Sequence, residues 1–72
     1  MSNPKYEVII RWSNEDNAYI AEVPDLPGCM ADGESLPEVG KEIEKNINLW
    51  IEVNTERGIP IPQPTTRTLI RA

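Results

Sequence analysis

Residues 35–57 show the pattern of a long amphipathic helix, and no other part of this chain is long enough to organise a fold. The apolar residues of one helical stripe are Leu36, Val39, Ile43, Ile47, Trp50 and Ile51. Ser35 can cap the first turn, Glu38 occupies the capping-box position, and Pro37 is tolerated there because its missing N–H costs nothing. Gly58 predicts the end of the helix. We therefore expect a helix that buries one face against the residues before it.

Three further residues of this stretch depart from the simple pattern. Gly40 lies on the apolar stripe, where it lowers helix stability but lets another backbone approach closely. Leu49 and Val53 lie off the stripe, one helical turn apart. This pair is either the loose periphery of the core or a second contact surface.

Two segments before the helix alternate apolar and polar residues, which is typical of strands. They cover residues 6–13 and 18–23, and the polar residues 14–17 between them predict a hairpin. The register that makes one face continuously apolar pairs Ser13 with Ala18, Trp12 with Tyr19, Ile10 with Ala21 and Val8 with Val23. A slip of one residue would destroy this match, so we expect that register.

The next segment predicts a third strand and completes the fold class. Residues 24–28 contain two prolines and a glycine, which indicates a stiff connection to a short strand over residues 29–32. Cys29 and Ala31 would then lie beside Ala21 on the covered face, and such small residues let the helix pack closely. We predict an α+β fold of the order βββα, three antiparallel strands with one helix packed on one face.

The C-terminal residues carry a weaker pattern. Proline alternates with other residues in 59–64, which predicts an extended segment without internal hydrogen bonds. Residues 65–71 fit either a fourth strand or an adaptable tail. We expect one domain over residues 1–72, in which 59–72 form an extended, proline-containing tail.

The opposite face of the predicted sheet also carries an apolar residue from each strand: Ile9, Ile20 and Met30. Charged residues frame this row: Glu7, Arg11, Glu22 and Asp32. One helix cannot cover both faces, and so short a chain buries too little apolar surface for comfortable stability alone. We therefore assign the apolar row to the interface of a homo-oligomer, a dimer or tetramer, although scattered exposed apolar residues are also ordinary.

The charge of the chain indicates the kind of partner. Twelve acidic residues against seven basic ones give a net charge of −5, which repels phosphate backbones and favours a basic partner. We expect no direct binding to nucleic acid, although acidity also serves plain solubility. The single Cys29 is expected to be a small buried thiol in a reducing cytoplasm. No apolar run is long enough to span a bilayer.

The chemistry of the side chains argues against an enzyme. The chain has no histidine, which removes Ser-His and Cys-His nucleophile pairs, and one cysteine rules out a Cys-rich zinc site. The carboxylates that would have to hold a divalent metal ion are Glu22, Asp25, Asp32 and Glu34. Solvated rim charges are the better interpretation of these residues. We expect no catalytic residues, no metal and no cofactor.

The order of motifs resembles one known family. Residues 19–33 read Tyr-Ile-Ala-Glu-Val-Pro-Asp-Leu-Pro-Gly-Cys-Met-Ala-Asp-Gly, and the helix that follows ends in Trp-Ile and then Gly-Ile-Pro-Ile-Pro. Together with the first strand, this pattern is similar to HicB-type antitoxins over residues 6–64. The resemblance implies a partial RNase H-like fold without a working catalytic set. It also implies a type II toxin–antitoxin pair, in which the protein binds and blocks a small basic RNA-cleaving toxin of the HicA type.

Members of this family often carry a C-terminal DNA-binding module. The chain ends at Ala72, so we expect the short, single-domain form without that module. We assign the toxin-binding contacts to two loops of the predicted fold: Glu15, Asp16, Asp25, Leu26 and Pro27. For each of these residues a purely geometric role in the turn is the alternative.

Two other function classes stay open at this point. One is a homo-oligomeric regulatory or structural module without a toxin. The other, a residual metal-dependent nuclease, would need Glu22 and Asp32 on the open face of the sheet.

Overall fold

The computed structural model describes residues 6–64, which form three strands and one helix in the order βββα. Strand β1 spans Ile9–Ser13, β2 spans Ala18–Glu22, β3 spans Met30–Gly33, and helix α1 spans Leu36–Glu56. The predicted α+β class is therefore confirmed. The expected choice between strand and tail at residues 65–71 lies outside the described residues.

The sheet is antiparallel, with β2 in the centre and β1 and β3 at its edges. Between β1 and β2 the pairs are Ile9–Glu22, Ile10–Ala21, Arg11–Ile20, Trp12–Tyr19 and Ser13–Ala18. Between β2 and β3 they are Tyr19–Gly33, Ile20–Asp32, Ala21–Ala31 and Glu22–Met30. The predicted hairpin register is confirmed wherever it overlaps these pairs. The strands are shorter than the alternating segments, since Tyr6 and Val8 precede the paired part of β1.

Both ends of α1 are capped as the sequence predicts. The Ser35 hydroxyl accepts a hydrogen bond from the Glu38 N–H at 3.2 Å, while the Glu38 carboxylate accepts one from the Glu34 N–H at 3.3 Å. At the other end Gly58 has a φ of +75°, and the Ile59 N–H donates to a carbonyl five residues earlier. This is the Schellman arrangement that glycine favours. Among residues 6–64 no helix combines the length and apolarity that crossing a membrane requires.

The core lies between α1 and the half of the sheet formed by β2 and β3. The buried residues that form it are Tyr6, Ala21, Val23, Leu26, Cys29, Val39, Ile43 and Ile47. Trp50 and Ile51 of the predicted stripe pack at its margin. Leu36 was expected in the same stripe, but it is 53% exposed. It is the first residue of α1, and the buried residues of the helix begin at Val39.

The helix leaves the inner side of β1 uncovered, contrary to expectation. In the described part of the chain, no Cα of α1 lies within 8 Å of a Cα of β1. Ile10 and Trp12 were placed on the covered face, yet they are 40% and 45% exposed. The Trp12 ring meets the Tyr19 ring edge to face at a centroid distance of 4.9 Å. One helix is too narrow to cover three strands when its axis follows β2 and β3.

The close approach between helix and sheet occurs at a different glycine from the one expected. A Cβ built on Gly33 would lie 2.7 Å from the backbone nitrogen of Val39, whereas a Cβ on Gly40 would meet no atom within 4 Å. Gly33 ends β3 just before the chain turns into α1, so the two backbones touch there. The prediction that Gly40 permits the approach was wrong.

Candidate functional site

The loop between β2 and β3, residues 24–28, is held by its own backbone. The Leu26 N–H donates to the Val23 carbonyl at 3.0 Å, and the Cys29 N–H donates to the Leu26 carbonyl at 2.9 Å. The Leu26 side chain is 0% exposed and belongs to the core. A side chain without exposed surface cannot touch a partner in this conformation, so Leu26 anchors the loop instead of serving as the expected contact.

The other two loop residues expected to bind a partner have internal neighbours. Asp25 is half-buried. Burial of the Tyr6 hydroxyl raises the pKa of Tyr6, and the negative charge of Asp25 raises it further. Pro27 is exposed, but its carbonyl accepts a hydrogen bond from the indole N–H of Trp50 at 2.9 Å. The loop therefore ties β2, α1 and the start of the chain together, whatever else it contacts.

The hairpin turn presents the remaining two expected contacts, Glu15 and Asp16, and both are exposed. The Ser13 hydroxyl accepts a hydrogen bond from the Asp16 N–H at 3.2 Å and donates one to the Asp16 carboxylate at 3.1 Å. These two bonds fix the position of the carboxylate. This turn and the loop at residues 24–28 lie at opposite ends of β2. A five-residue strand spans about 16 Å, so the structure separates the two predicted halves of the toxin site.

The outer face of the sheet is mixed in charge and polarity, not a continuous apolar row. Its register places Ile9, Glu22 and Met30 side by side, and Arg11, Ile20 and Asp32 side by side in the neighbouring row. Apolar and charged side chains therefore alternate in both directions. Arg11 and Glu22 form an ion pair at 3.4 Å, with both side chains well exposed to solvent. Ile9 and Met30 are exposed, while Ile20 is half-buried.

A shallow hollow on this face combines residues that the sequence assigned to different surfaces. Asp16, Ile20, Met30, Ala31 and Asp32 line it. Asp16 was expected to bind a toxin, whereas Ile20 and Met30 were expected to bind a second copy. Asp16 of the hairpin turn therefore borders the same hollow as the apolar pair Ile20 and Met30. We call these five residues the acidic hollow.

The side chains considered for metal binding and nucleophilic chemistry all lie within the described residues. Within 6–64 no three side chains of histidine, cysteine, aspartate or glutamate are grouped so that they could hold a metal ion. The Glu22 carboxylate is already paired with Arg11. Burial raises the pKa of the Cys29 thiol, which lowers its reactivity as a nucleophile.

Comparison with known proteins identifies the family. The model of the HicB-like antitoxins of bacterial toxin–antitoxin systems matches residues 6–71. The chain belongs to this HicB-like antitoxin family. The match covers every element of the fold, from the residues before β1 to those beyond the described tail.

Relatives of this HicB-like antitoxin occur in archaea and cyanobacteria. A UPF0150 protein of Archaeoglobus fulgidus is 38% identical over 56 residues, which cover 75% of this chain and 80% of the relative. Another from Thermoplasma acidophilum is 37% identical over 59 residues, covering 82% and 84%. A third, from Synechocystis, is 36% identical over 52 residues, covering 72% and 74%. No solved structure gives a significant match.

The family assignment gives the HicB-like antitoxin the role of an antitoxin in a toxin–antitoxin system. Sequence reasoning placed Asp32 in the charged frame of the outer face and among the carboxylates considered for metal binding, and it did not expect Ile10 and Trp12 on the surface. The sequence could have placed Asp32 beside Ile20, because the register that pairs these two residues follows from the hairpin and the loop. The exposure of Ile10 and Trp12 depends on where the helix lies across the sheet, which periodicity does not give.

Proposed function

We propose that this HicB-like antitoxin neutralises a HicA-type RNA-cleaving toxin by binding it directly and covering its active site. The observation that carries the proposal is the family match over residues 6–71, which assigns the antitoxin role. The net charge of −5 supports the partner, since a cleft that binds RNA phosphates is basic and attracts an acidic protein. Because such a toxin acts on cellular RNA, the pair would work in the cytoplasm.

The acidic hollow is the docking surface that fits this partner best. Asp16 and Asp32 provide the charges, and Ile20 and Met30 provide an apolar centre that a partner would dehydrate. Interfaces typically combine an apolar centre with a polar rim in this way. Glu15 extends the acidic surface at the exposed tip of the hairpin. Asp25 and Pro27 lie at the far end of β2, so they would form a separate contact with a toxin large enough to span the sheet.

Growth rescue together with a binding measurement tests the proposal. A HicA-type toxin is expressed with the wild-type chain, with the double variant Asp16→Asn/Asp32→Asn, or with the control Glu52→Gln/Glu56→Gln. The control removes the same two charges from exposed positions on α1, away from the hollow. We expect rescue by the wild type and the control, and an affinity lowered about tenfold in the hollow variant, since each charge pair contributes up to about 1 kcal/mol.

The outcomes separate the function from the site. If co-expression of the wild-type chain does not rescue growth and the purified chain forms no complex with the toxin, the antitoxin proposal fails. If the wild type rescues but both double variants bind equally well, the function stands and the docking surface lies elsewhere. Circular dichroism of all three proteins shows whether a loss of binding reflects a loss of folding.

A further inference from the structure

Two concave regions of the surface differ in their chemistry. One is a groove of about 360 Å³ beside β3, between the start of that strand and the second half of α1. Leu49 and Val53 are exposed there, and no charged side chain of the described residues lines the groove. The other is the acidic hollow, of about 460 Å³, in which two carboxylates border the apolar pair Ile20 and Met30. The hollow therefore offers both charge and apolar surface to one ligand, whereas the groove offers no charge.

The register of the sheet sets the length of the hollow. Asp32 pairs with Ile20, and Met30 lies two residues before Asp32 on the same face of β3. Residues two apart on a strand are separated by about 7 Å. Asp16 belongs to the turn that follows β1, so both acidic residues lie nearer to the hairpin turn than Met30 does. The distance from Met30 to the acidic end is therefore close to the length of an extended lysine or arginine side chain.

Arg11 shows how a cation spans the same spacing on this face of the sheet. Its backbone pairs with Ile20 on the side away from Asp32, and its guanidinium group forms the ion pair with Glu22 in the next row. The arginine stem thus crosses from one row to the next and its head ends on a carboxylate. In the described part of the chain no basic side chain forms an ion pair with Asp16 or Asp32. On the β3 side of Ile20, the described residues therefore supply the carboxylates of such an arrangement but not its cation.

We propose that the acidic hollow receives one lysine or arginine side chain of the toxin, with its charged head between Asp16 and Asp32 and its stem on Ile20 and Met30. This inference rests on the proposed function, since it names the toxin group that the docking surface binds. Lysine and arginine cover apolar surface with their stems while their heads stay in water, and both carboxylates of the hollow are exposed. A basic side chain that contacts RNA phosphates would be withdrawn from RNA when it enters the hollow.

The contacts of the hollow favour this occupant over three others. A divalent metal ion would need more ligands than two carboxylates, and residues 6–64 contain no group of three side chains that could hold one. A phosphate group would be repelled by both charges. A second copy of the chain would bring a net charge of −5 to the same carboxylates. A basic side chain with an apolar stem satisfies the charges and the apolar pair together.

Chemical footprinting of the complex tests the charged head. Lysines of a HicA-type toxin are acetylated with acetic anhydride, and its arginines are modified with phenylglyoxal, in the free toxin and in saturated complexes. The complexes contain the wild-type chain, Asp16→Asn/Asp32→Asn, or the control Glu52→Gln/Glu56→Gln. We expect one lysine or arginine of the toxin to lose most of its reactivity with the wild type and the control, and to regain it with the hollow variant. If no basic side chain is protected, or if protection is equal in all three complexes, the proposal is overturned.

The stem contact is tested by Met30→Thr, which keeps both charges of the hollow and changes a side chain that is 47% exposed. We expect the affinity for the toxin to fall about fourfold, the effect of one buried methylene group, at low and at high salt alike. Ile9→Thr is the control, since Ile9 is similarly exposed on the same face but does not line the hollow.

Three results separate the possible failures. Equal affinities of Met30→Thr and the wild type overturn the stem contact and leave the antitoxin function standing. A change in the sedimentation mass of the chain alone on Met30→Thr substitution would show that a second copy occupies the hollow, which also overturns the proposal. A wild-type chain that forms no complex with the toxin removes the proposed function and this inference together.

Discussion

The indole N–H of Trp50 donates a hydrogen bond of 2.9 Å to the carbonyl of Pro27, joining the helix to the loop between β2 and β3. The two residues are 23 positions apart in the chain. Trp50 also packs against the core and lines the groove beside β3. One side chain therefore holds the loop, the helix and the groove in a fixed relation.

Replacing Trp50 by phenylalanine is expected to lower the free energy of unfolding by about 1 to 2 kcal/mol, because the hydrogen bond is lost while much of the packing stays. Urea denaturation measures the change. Trp12→Phe is the matched control, since the Trp12 indole N–H bonds to Asn14 only two residues away, on the exposed edge. Equal losses in the two variants would show that the contact with Pro27 contributes nothing specific.

Two glycine substitutions are expected to change stability in opposite directions. Gly33→Ala forces a Cβ to within 2.7 Å of the Val39 backbone nitrogen, so β3 and α1 must separate and stability falls by about 1 to 3 kcal/mol. Gly40→Ala places its methyl group in open space on a helix and should raise stability by about 0.5 to 1 kcal/mol. Thermal unfolding of both variants provides the measurement. A stabilised Gly33→Ala protein would mean that the strand and helix are not in contact there.

The Tyr6 hydroxyl makes stability sensitive to alkaline pH. Burial, and then the charge of Asp25, raise the pKa of Tyr6 above its usual value of 10.0. An unfolded chain ionises this group at lower pH than the folded protein does, so the stabilisation is complete below about pH 10 and decreases as pH rises further.

Tyr6→Phe should therefore be less stable by about 1 kcal/mol at neutral pH, through loss of the hydrogen bond to Pro62, and should lose less additional stability above pH 10. Urea denaturation at a series of pH values measures both effects. Trp12→Phe keeps the Tyr6 hydroxyl and should show the same alkaline loss as the wild type. A Tyr6→Phe protein whose alkaline loss equals that of the wild type would assign this loss to other groups.

Salt should weaken the proposed contact with the toxin. Docking of a basic toxin on the acidic hollow is expected to slow as ionic strength rises, because the Debye length falls from about 10 Å at 0.1 M to about 3 Å at 1 M. Stopped-flow association rates across a salt series measure the response. An association rate that does not fall with salt argues against the acidic hollow as the docking surface.

The strands, the helix and the hairpin register could be predicted because each is recorded in local periodicity and turn chemistry. The Ser13–Ala18 pairing follows from keeping one face apolar, and the helix ends follow from Ser35 and Gly58. These features depend on neighbours a few residues apart in the chain, which a single sequence displays directly.

The position of the helix across the sheet could not be predicted in the same way. Periodicity shows which side of α1 is buried, but not whether its axis crosses two strands or three, and that choice exposes Ile10 and Trp12. The acidic hollow was missed for a similar reason, because it combines Asp16 of the hairpin turn with Ile20 and Met30 of two strands. Leu26 was misjudged because its loop looked exposed, although one leucine between two prolines was a signal for an anchor in the core.

The Leu26 side chain is fully buried, and its N–H and C=O groups are hydrogen-bonded to Val23 and Cys29. The Val-Pro-Asp-Leu-Pro-Gly-Cys signature therefore serves the folding of the loop and the core. Two proteins that share the signature would share a scaffold and still prefer different toxins. Under the proposed docking on the acidic hollow, partner choice would depend on surface positions such as Asp16, Ile20 and Asp32.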